Sequence, residues 1–235
     1  MTKKLKIFTI GDNTKDEPLL KDHPYFTKNF RMILTAPSGM GKSQLLYNFM
    51  FNDEFLLKMI KKSNVNCFIP TETTCEEMAK LAKKTKLKPE KFSIKNFWDE
   101  SVCEDIYNKL DKSKTNFMIF DDVSFLKQFC STHKKTVIDS IMCAGRHKNL
   151  YTVILSQKYT HINENVRSNQ CNILVFFWGL NSKELERIYI ENFSFLEKSE
   201  FEDMIKQHLD KQYKFIIFNK SKNKIFDSEF NEITI

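Results

Sequence analysis

The sequence predicts an α/β fold: a mostly parallel central sheet flanked by helices, with a β-hairpin at the C-terminal end. Short apolar runs rich in β-formers alternate with longer helical patterns, the arrangement of βαβ units around a parallel sheet. Several of those runs (FMIF, TVIL, ILVFFW) are apolar almost throughout, as strands covered by helices on both faces should be. No internal repeat, low-complexity stretch or Pro/Gly/Ser linker interrupts the pattern. Residues 1–235 are therefore expected to form a single domain, with a core over about 30–180 and C-terminal helices and hairpin over 181–235.

Taken in order, the first strand is 31–36, RMILTA. It runs into the small-residue turn Pro37-Ser38-Gly39-Met40-Gly41, then Lys42-Ser43 and an amphipathic helix over 43–51. That strand, loop and helix are the context a Walker A phosphate loop requires. Successive backbone N–H groups at a helix N-terminus cradle phosphate oxygens. Lys42 would reach the β- and γ-phosphates, and the Ser43 hydroxyl would bind Mg²⁺. Ala36 stands where the consensus has its first glycine, a place alanine can fill if its φ is negative.

A second strand, 66–69, precedes a helix over 75–84. A short β-like piece, 92–95, and a helix over 102–110 follow. The strand 116–121 then ends in two carboxylates, Asp121 and Asp122. Asp121 is the expected Mg²⁺ ligand of a Walker B strand, and Asp122 is placed to accept a proton from an attacking water or to orient it. The two motifs lie far enough apart to admit an extra strand, as in P-loop ATPases that activate water with a nearby acid.

Beyond a helix over 134–143 comes AGRHKNLYTVILSQKYTHINENVRSN. Gly145-Arg146-His147 closes that helix, and Gln157 ends the strand 151–157 at the same sheet edge as Asp121. Gln157 could sense the γ-phosphate or hold the water. Arg146 or Arg167 could act as an arginine finger on a neighbouring subunit. A helix C-cap with its compensating cation accounts equally for Gly145-Arg146, and a polar strand end for Gln157. The strand 173–179, helices over 183–191 and 200–209, and a hairpin from 214 with its turn near 220–223 complete the chain.

Asn219-Lys220-Ser221-Lys222 resembles the guanine-reading Asn-Lys-x-Asp element but lacks its acid. Lys222 cannot accept hydrogen bonds from the base, so ATP is favoured over GTP.

Composition narrows the class. Lys+Arg total 37 against 30 Asp+Glu, a formal charge of +7, and only four of the 37 are arginine. With 41% hydrophobic and 29% charged residues, disorder and a fibrous fold are excluded. The longest uncharged stretch, 168–182, holds only about eight consecutive apolar residues, too few to span a bilayer. The start, MTKKLKIFTIGD, lacks the apolar run of a signal peptide. A soluble intracellular protein without a membrane partner is expected. Its six scattered cysteines form no C-x-x-C pair and are expected to be reduced and mostly buried. Basic clusters at Lys80, Lys83, Lys84, Lys86, Lys88 and Lys91, and at His133-Lys134-Lys135 with Lys148 beyond, could neutralise DNA phosphates. No base-reading module accompanies them, which suits a grip on the backbone regardless of sequence.

Together, FRMILTAPSGMGKSQLL, NFMIFDDV and GRHKNLYTVILSQKYTHINENVRSN resemble the genome-packaging ATPases of poxviruses, other large DNA viruses and virophages, within the FtsK/HerA superfamily of P-loop ATPases. The similarity covers residues 30–179. It implies a RecA-like P-loop NTPase core of the ASCE type, with strand order 5-1-4-3-2, in a homo-oligomeric ring that drives double-stranded DNA into a preformed capsid. ATP, Mg²⁺ and a capsid or portal vertex protein would be its ligands and partner, and the host cytoplasm, at a viral factory, or the virion its place. By position, Lys42 and Ser43 match the phosphate and Mg²⁺ residues, Asp121 the Walker B ligand and Asp122 the catalytic acid. Gln157 matches the polar residue of the fourth strand, Arg146 the trans-acting finger, and Arg167 is a second candidate for it. Ala36 and the shorter acid Asp122, where many relatives have Glu, depart from the pattern.

Two other readings are kept. A small P-loop kinase would need an arginine-rich lid, and four unclustered arginines do not supply one. An ATP-dependent assembly switch or scaffold, without translocation, is compatible with the same motifs.

Overall fold

A computed structural model describes residues 23–122 and 136–234. The chain start, Cys130, His133, Lys134, Lys135 and the first residues of the helix expected over 134–143 lie outside them.

The described strands are β1 (Arg31–Thr35), β2 (Asn64–Phe68), β3 (Phe92–Lys95), β4 (Asn116–Asp121), β5 (Leu150–Ser156), β6 (Ile173–Phe177), β7 (Phe215–Asn219), β8 (Lys224–Phe226) and β9 (Glu232–Ile233). They form one sheet in the order β3-β2-β4-β5-β1-β6-β7-β8-β9. The strands from β3 to β6 are parallel, and β7, β8 and β9 are added antiparallel. The order 5-1-4-3-2 is present as β6-β1-β5-β4-β2, and the short β-like piece becomes an extra edge strand beside β2. In space β5 separates the two motif strands β1 and β4.

The helices are α1 (Lys42–Tyr47), α2 (Glu54–Lys62), α3 (Glu72–Lys84), α4 (Glu100–Asn108), α5 (Val137–Ala144), α6 (Ser182–Ile188) and α7 (Lys198–His208). Alternate residues of the central strands serve two separate cores, which is why those strands read as continuous apolar runs. Met32, Leu34, Phe117, Ile119, Val153 and Leu155 pack with α1, α2 and α3. Ile33, Met118, Phe120 and Ile154 pack with α4, α5, α6 and α7 on the other face.

Helix α2 is absent from the sequence expectations. The helix after the phosphate loop does not stop at 51: α1 widens into a π-helical turn, Asn48–Asn52, and a new helix then starts at Asp53. The Asp53 carboxylate accepts the Leu56 N–H at 2.8 Å, while Lys61 and Lys62 lie in the last turn, so both ends satisfy the helix dipole. The expected hairpin is present as β7 and β8, and its turn is held by Asn219, whose side-chain oxygen accepts the Lys222 N–H at 3.1 Å. Cys67, Cys103 and Cys171 are buried, but Cys143 is exposed; all described cysteines are free. Among the described residues, no helix is long and apolar enough to cross a membrane.

Candidate active site

The parallel strands bring the C-terminal ends of β1, β4 and β5 to one sheet edge, and the site is built there, where ligands bind in open α/β sheets. Strand β1 is pinned between β5 and β6, and its continuation is fixed by the Ala36 N–H, which donates to the Ser156 carbonyl at 3.2 Å. The loop then turns through Gly39 (φ 76°) and Gly41 (φ 89°), left-handed conformations that side chains resist. Ala36 is not among the residues of positive φ, so the missing first glycine costs the loop nothing in backbone conformation.

Lys42 is buried, and its Nζ donates to the carbonyls of Ala36 (2.8 Å) and Pro37 (3.2 Å), bracing the loop across its mouth. Burial pulls its pKa down, while the charges of Asp122 and Asp121 act against that. Ser43 Oγ donates to Asp121 Oδ2 at 3.1 Å. Asp121 ends β4 and is 3% exposed; burial first, and then the charge of Asp122, push its carboxyl up to about 6, against the pull of Ser43 and Lys42. Asp122 sits at φ 53°, a conformation that turns the chain immediately after the strand. Its Oδ2 accepts from Gln157 Nε2 at 3.3 Å, while its Oδ1 is buried without a partner among the described residues. Lys42, Ser43, Asp121, Asp122 and Gln157 are thus one constellation.

The two arginines do not join it. Arg146 is exposed in the 3₁₀ turn Gly145–Lys148 that leads into β5, at the opposite end of that strand from Gln157. At about 3.3 Å per residue, the seven residues of β5 hold the two sheet edges about 20 Å apart. Arg146 therefore cannot reach the phosphate loop of its own chain. Its neighbour at that edge is Arg31, whose guanidinium pKa is lowered by burial and by the charge of Arg146.

Arg167 departs from the expectation of a finger. It is buried in a bidentate pair with Glu191 (2.7 and 3.0 Å), donates to the Ile162 carbonyl at 2.6 Å, and lies over the Tyr159 ring. Tyr159 in turn donates to Glu191 at 2.8 Å and accepts from Asn192 at 2.9 Å. Removing the guanidinium from this network would leave the buried Glu191 carboxylate with only the Tyr159 hydroxyl and a 3.8 Å contact to the partly exposed Arg187, so the geometry fits a residue that holds the fold.

The guanine-like element is equally remote. Asn219 pairs with Ile173 at the start of β6, away from the edge that carries the loop. Lys148, counted above with a basic cluster, caps α4 instead: its Nζ donates to the carbonyls of Tyr107 (2.8 Å) and Asn108 (3.1 Å).

Comparison with known proteins agrees with the arrangement. The family described as Poxvirus A32 protein matches residues 20–229. The chain belongs to the poxvirus A32 protein family. With that family it is a P-loop ATPase. The A32-family chain is similar to the DNA-packaging ATPase B204 from Sulfolobus turreted icosahedral virus (TM-score 0.66, 18% identity, 89% of this chain and 100% of that one). It is also similar to the genome packaging NTPase B204 from Sulfolobus turreted icosahedral virus 2 in complex with AMPPCP (TM-score 0.64, 18% identity, 86% and 98%). A more distant likeness is to the pCW3 conjugation coupling protein TcpA with ATPγS (TM-score 0.51, 9% identity, 81% and 57%). No curated protein matches the chain. At such identities these structures speak for the fold.

Among the described residues, the A32-family site offers hard oxygen donors to a cation, the Ser43 hydroxyl and the Asp121 carboxylate, with nucleotide phosphates and water to complete the shell. That donor set fits Mg²⁺ and is unsuited to softer metals. Sequence reasoning did not foresee Gly179 and Tyr213, which flank the loop from the ends of β6 and β7. A Cβ on Gly179 would stand 3.5 Å from Pro37 Cγ, and one on Gly41 would stand 3.4 Å from Tyr213 Cδ1. The only sequence signal for Gly179 was its rarity, as one of five glycines in the chain.

Proposed function

We propose that this A32-family protein is an ATP-hydrolysing motor that translocates double-stranded viral DNA into a preformed capsid. The observation that carries the reading is the constellation in which Ser43 meets Asp121 while Gln157 meets Asp122, all beneath one phosphate loop. In it the loop N–H groups of Ser38, Gly39, Met40 and Gly41 and the Lys42 ammonium bind the phosphates, with Pro37, which has no N–H, shaping the turn. Ser43 and Asp121 would hold Mg²⁺, which supplies charge neutralisation on the β- and γ-phosphate oxygens. Asp122 accepts the proton of the attacking water at its carboxylate, and Gln157 fixes the orientation of that carboxylate. The position of Arg146 at the far sheet edge suits action in trans: a head-to-tail contact in a closed ring presents the far edge of one subunit to the loop of the next. Lys80, Lys83, Lys84, Lys86 and Lys88 are exposed near the end of α3 and offer a sequence-independent grip on DNA phosphates. A capsid or portal vertex protein is the expected docking partner, and the host cytoplasm or the virion its place of action.

The test is the ATPase rate of the full chain with and without double-stranded DNA, measured alongside the oligomer mass. A ring whose hydrolysis rises with DNA and is abolished by Lys42→Ala supports the motor. Hydrolysis indifferent to DNA supports the assembly switch, and phosphoryl transfer to a nucleotide would support a kinase.

A further inference from the structure

We infer that Tyr213 is the platform on which the nucleobase of the bound nucleoside triphosphate stacks. The inference rests on the nucleotide-site reading above and adds to it the part of the site that holds the base.

The catalytic groups fix which way a nucleotide must lie. Asp121 and Gln157 come from β4 and β5, on one side of β1, so the γ-phosphate end of a bound triphosphate points to that side. The sugar and base must leave the loop on the other side of β1, where β6 and β7 lie. There the described residues offer Gly179 beside the loop and the ring of Tyr213. Gly179 (φ 91°) ends β6 against Pro37 and Met40, with no side chain between strand and loop. Register carries the antiparallel pairing on from Phe177 opposite Phe215 through the Trp178 N–H, which donates to the Lys214 carbonyl at 2.9 Å. Tyr213 is the next residue, so it falls opposite Gly179, on the face that carries the phosphate loop.

Two properties of Tyr213 distinguish it from a packing residue. The residue is 60% exposed although its ring stands in van der Waals contact distance of the Gly41 position, 3.4 Å from where a Cβ there would lie. Its backbone sits at φ 69°, a left-handed conformation that a bulky residue adopts only against a steric cost glycine or asparagine would avoid. The chain thus holds an aromatic ring in water, on an unfavourable backbone, beside the N-terminus of the phosphate-loop helix. Aromatic faces bind bases of any kind by stacking, which suits a site without a base-reading motif among the described residues.

The test compares two ligands on the full chain by calorimetry: AMPPNP with Mg²⁺, which carries a base, and inorganic tripolyphosphate with Mg²⁺, which does not. Tyr213→Ala should weaken AMPPNP by about 10-fold or more and leave tripolyphosphate unchanged, while Tyr213→Phe, which keeps the ring, restores AMPPNP affinity. If Tyr213→Ala weakens both ligands equally, the ring merely steadies the Gly41 turn and the inference is overturned. If it weakens neither, the base lies elsewhere and the inference again fails, while the phosphate-site reading stands. Wild-type protein that binds neither ligand would overturn both.

Discussion

Replacing Asp121 by Asn should make the nucleotide-free protein more stable while destroying its response to Mg²⁺ and nucleotide. The carboxyl is 3% exposed and stands beside Asp122, and together these push it up to about 6 from an ordinary 3.8. The folded chain therefore binds the Asp121 proton more tightly than the unfolded chain does. Stability falls as pH rises from about 4 to about 6, and the whole penalty is present above that window. At about 1.4 kcal/mol per pH unit, the difference corresponds to about 3 kcal/mol at neutral pH. Asparagine removes the charge and keeps an oxygen for the Ser43 hydroxyl, so the variant escapes the penalty without orphaning its partner. For a chain of 235 residues that amounts to a Tm higher by about 6–12 °C at pH 8, shrinking towards zero near pH 4. Calorimetric melting across that pH range measures it directly. With Mg²⁺ and AMPPNP added, the wild type should gain Tm and the variant little, because the variant has lost a cation ligand. A variant less stable than wild type at pH 8, or one whose advantage does not change with pH, would refute the claim that Asp121 is a buried, charge-strained carboxylate awaiting a cation.

Three further predictions concern Asp122 and the two arginines. Asp122→Asn should bind AMPPNP with unchanged Kd and lose about 10²–10⁴ in kcat; full turnover would remove it as the acid. Arg146→Ala should lose about 10³–10⁵ in kcat, and activity should return when it is mixed with Lys42→Ala subunits that still carry Arg146; absence of any recovery would count against action across the interface. Arg167→Met should destabilise the fold by up to about 3–5 kcal/mol, because Glu191 then keeps only the Tyr159 hydroxyl and the 3.8 Å contact to Arg187, with kcat per folded molecule retained at low temperature. Loss of turnover at an unchanged Tm would return Arg167 to the site.

What could be read from the sequence was what depends on neighbouring residues. The phosphate loop, the acidic end of β4 and the polar end of β5 are each carried by a contiguous stretch, and continuous apolar runs made the strands visible. What could not be read depends on distant partners. Arg167 looks like a free cation until Glu191, 24 residues on, is folded against it. Lys148 looks like part of a basic cluster until the end of α4 accepts its hydrogen bonds from 40 and 41 residues upstream. The Asn219-Lys220 resemblance fails on geometry as well as on chemistry, because β7 runs antiparallel and delivers Asn219 to the wrong edge. Helix α2 was missed because the π-helical turn before it carries the same apolar pattern as the helices on either side. Tyr213 has no local signal, since what makes it notable is a glycine 172 positions earlier in the chain.

The central claim is that hydrolysis at this site moves DNA, and displacement of a third strand from a DNA triplex measures that movement directly. Wild-type protein should strip the triplex-forming strand from a long duplex only when ATP and Mg²⁺ are present, whatever the duplex sequence, and Asp122→Asn should bind the same DNA and strip nothing. Brisk ATP hydrolysis on that DNA with the third strand left in place would contradict the motor and leave an assembly switch.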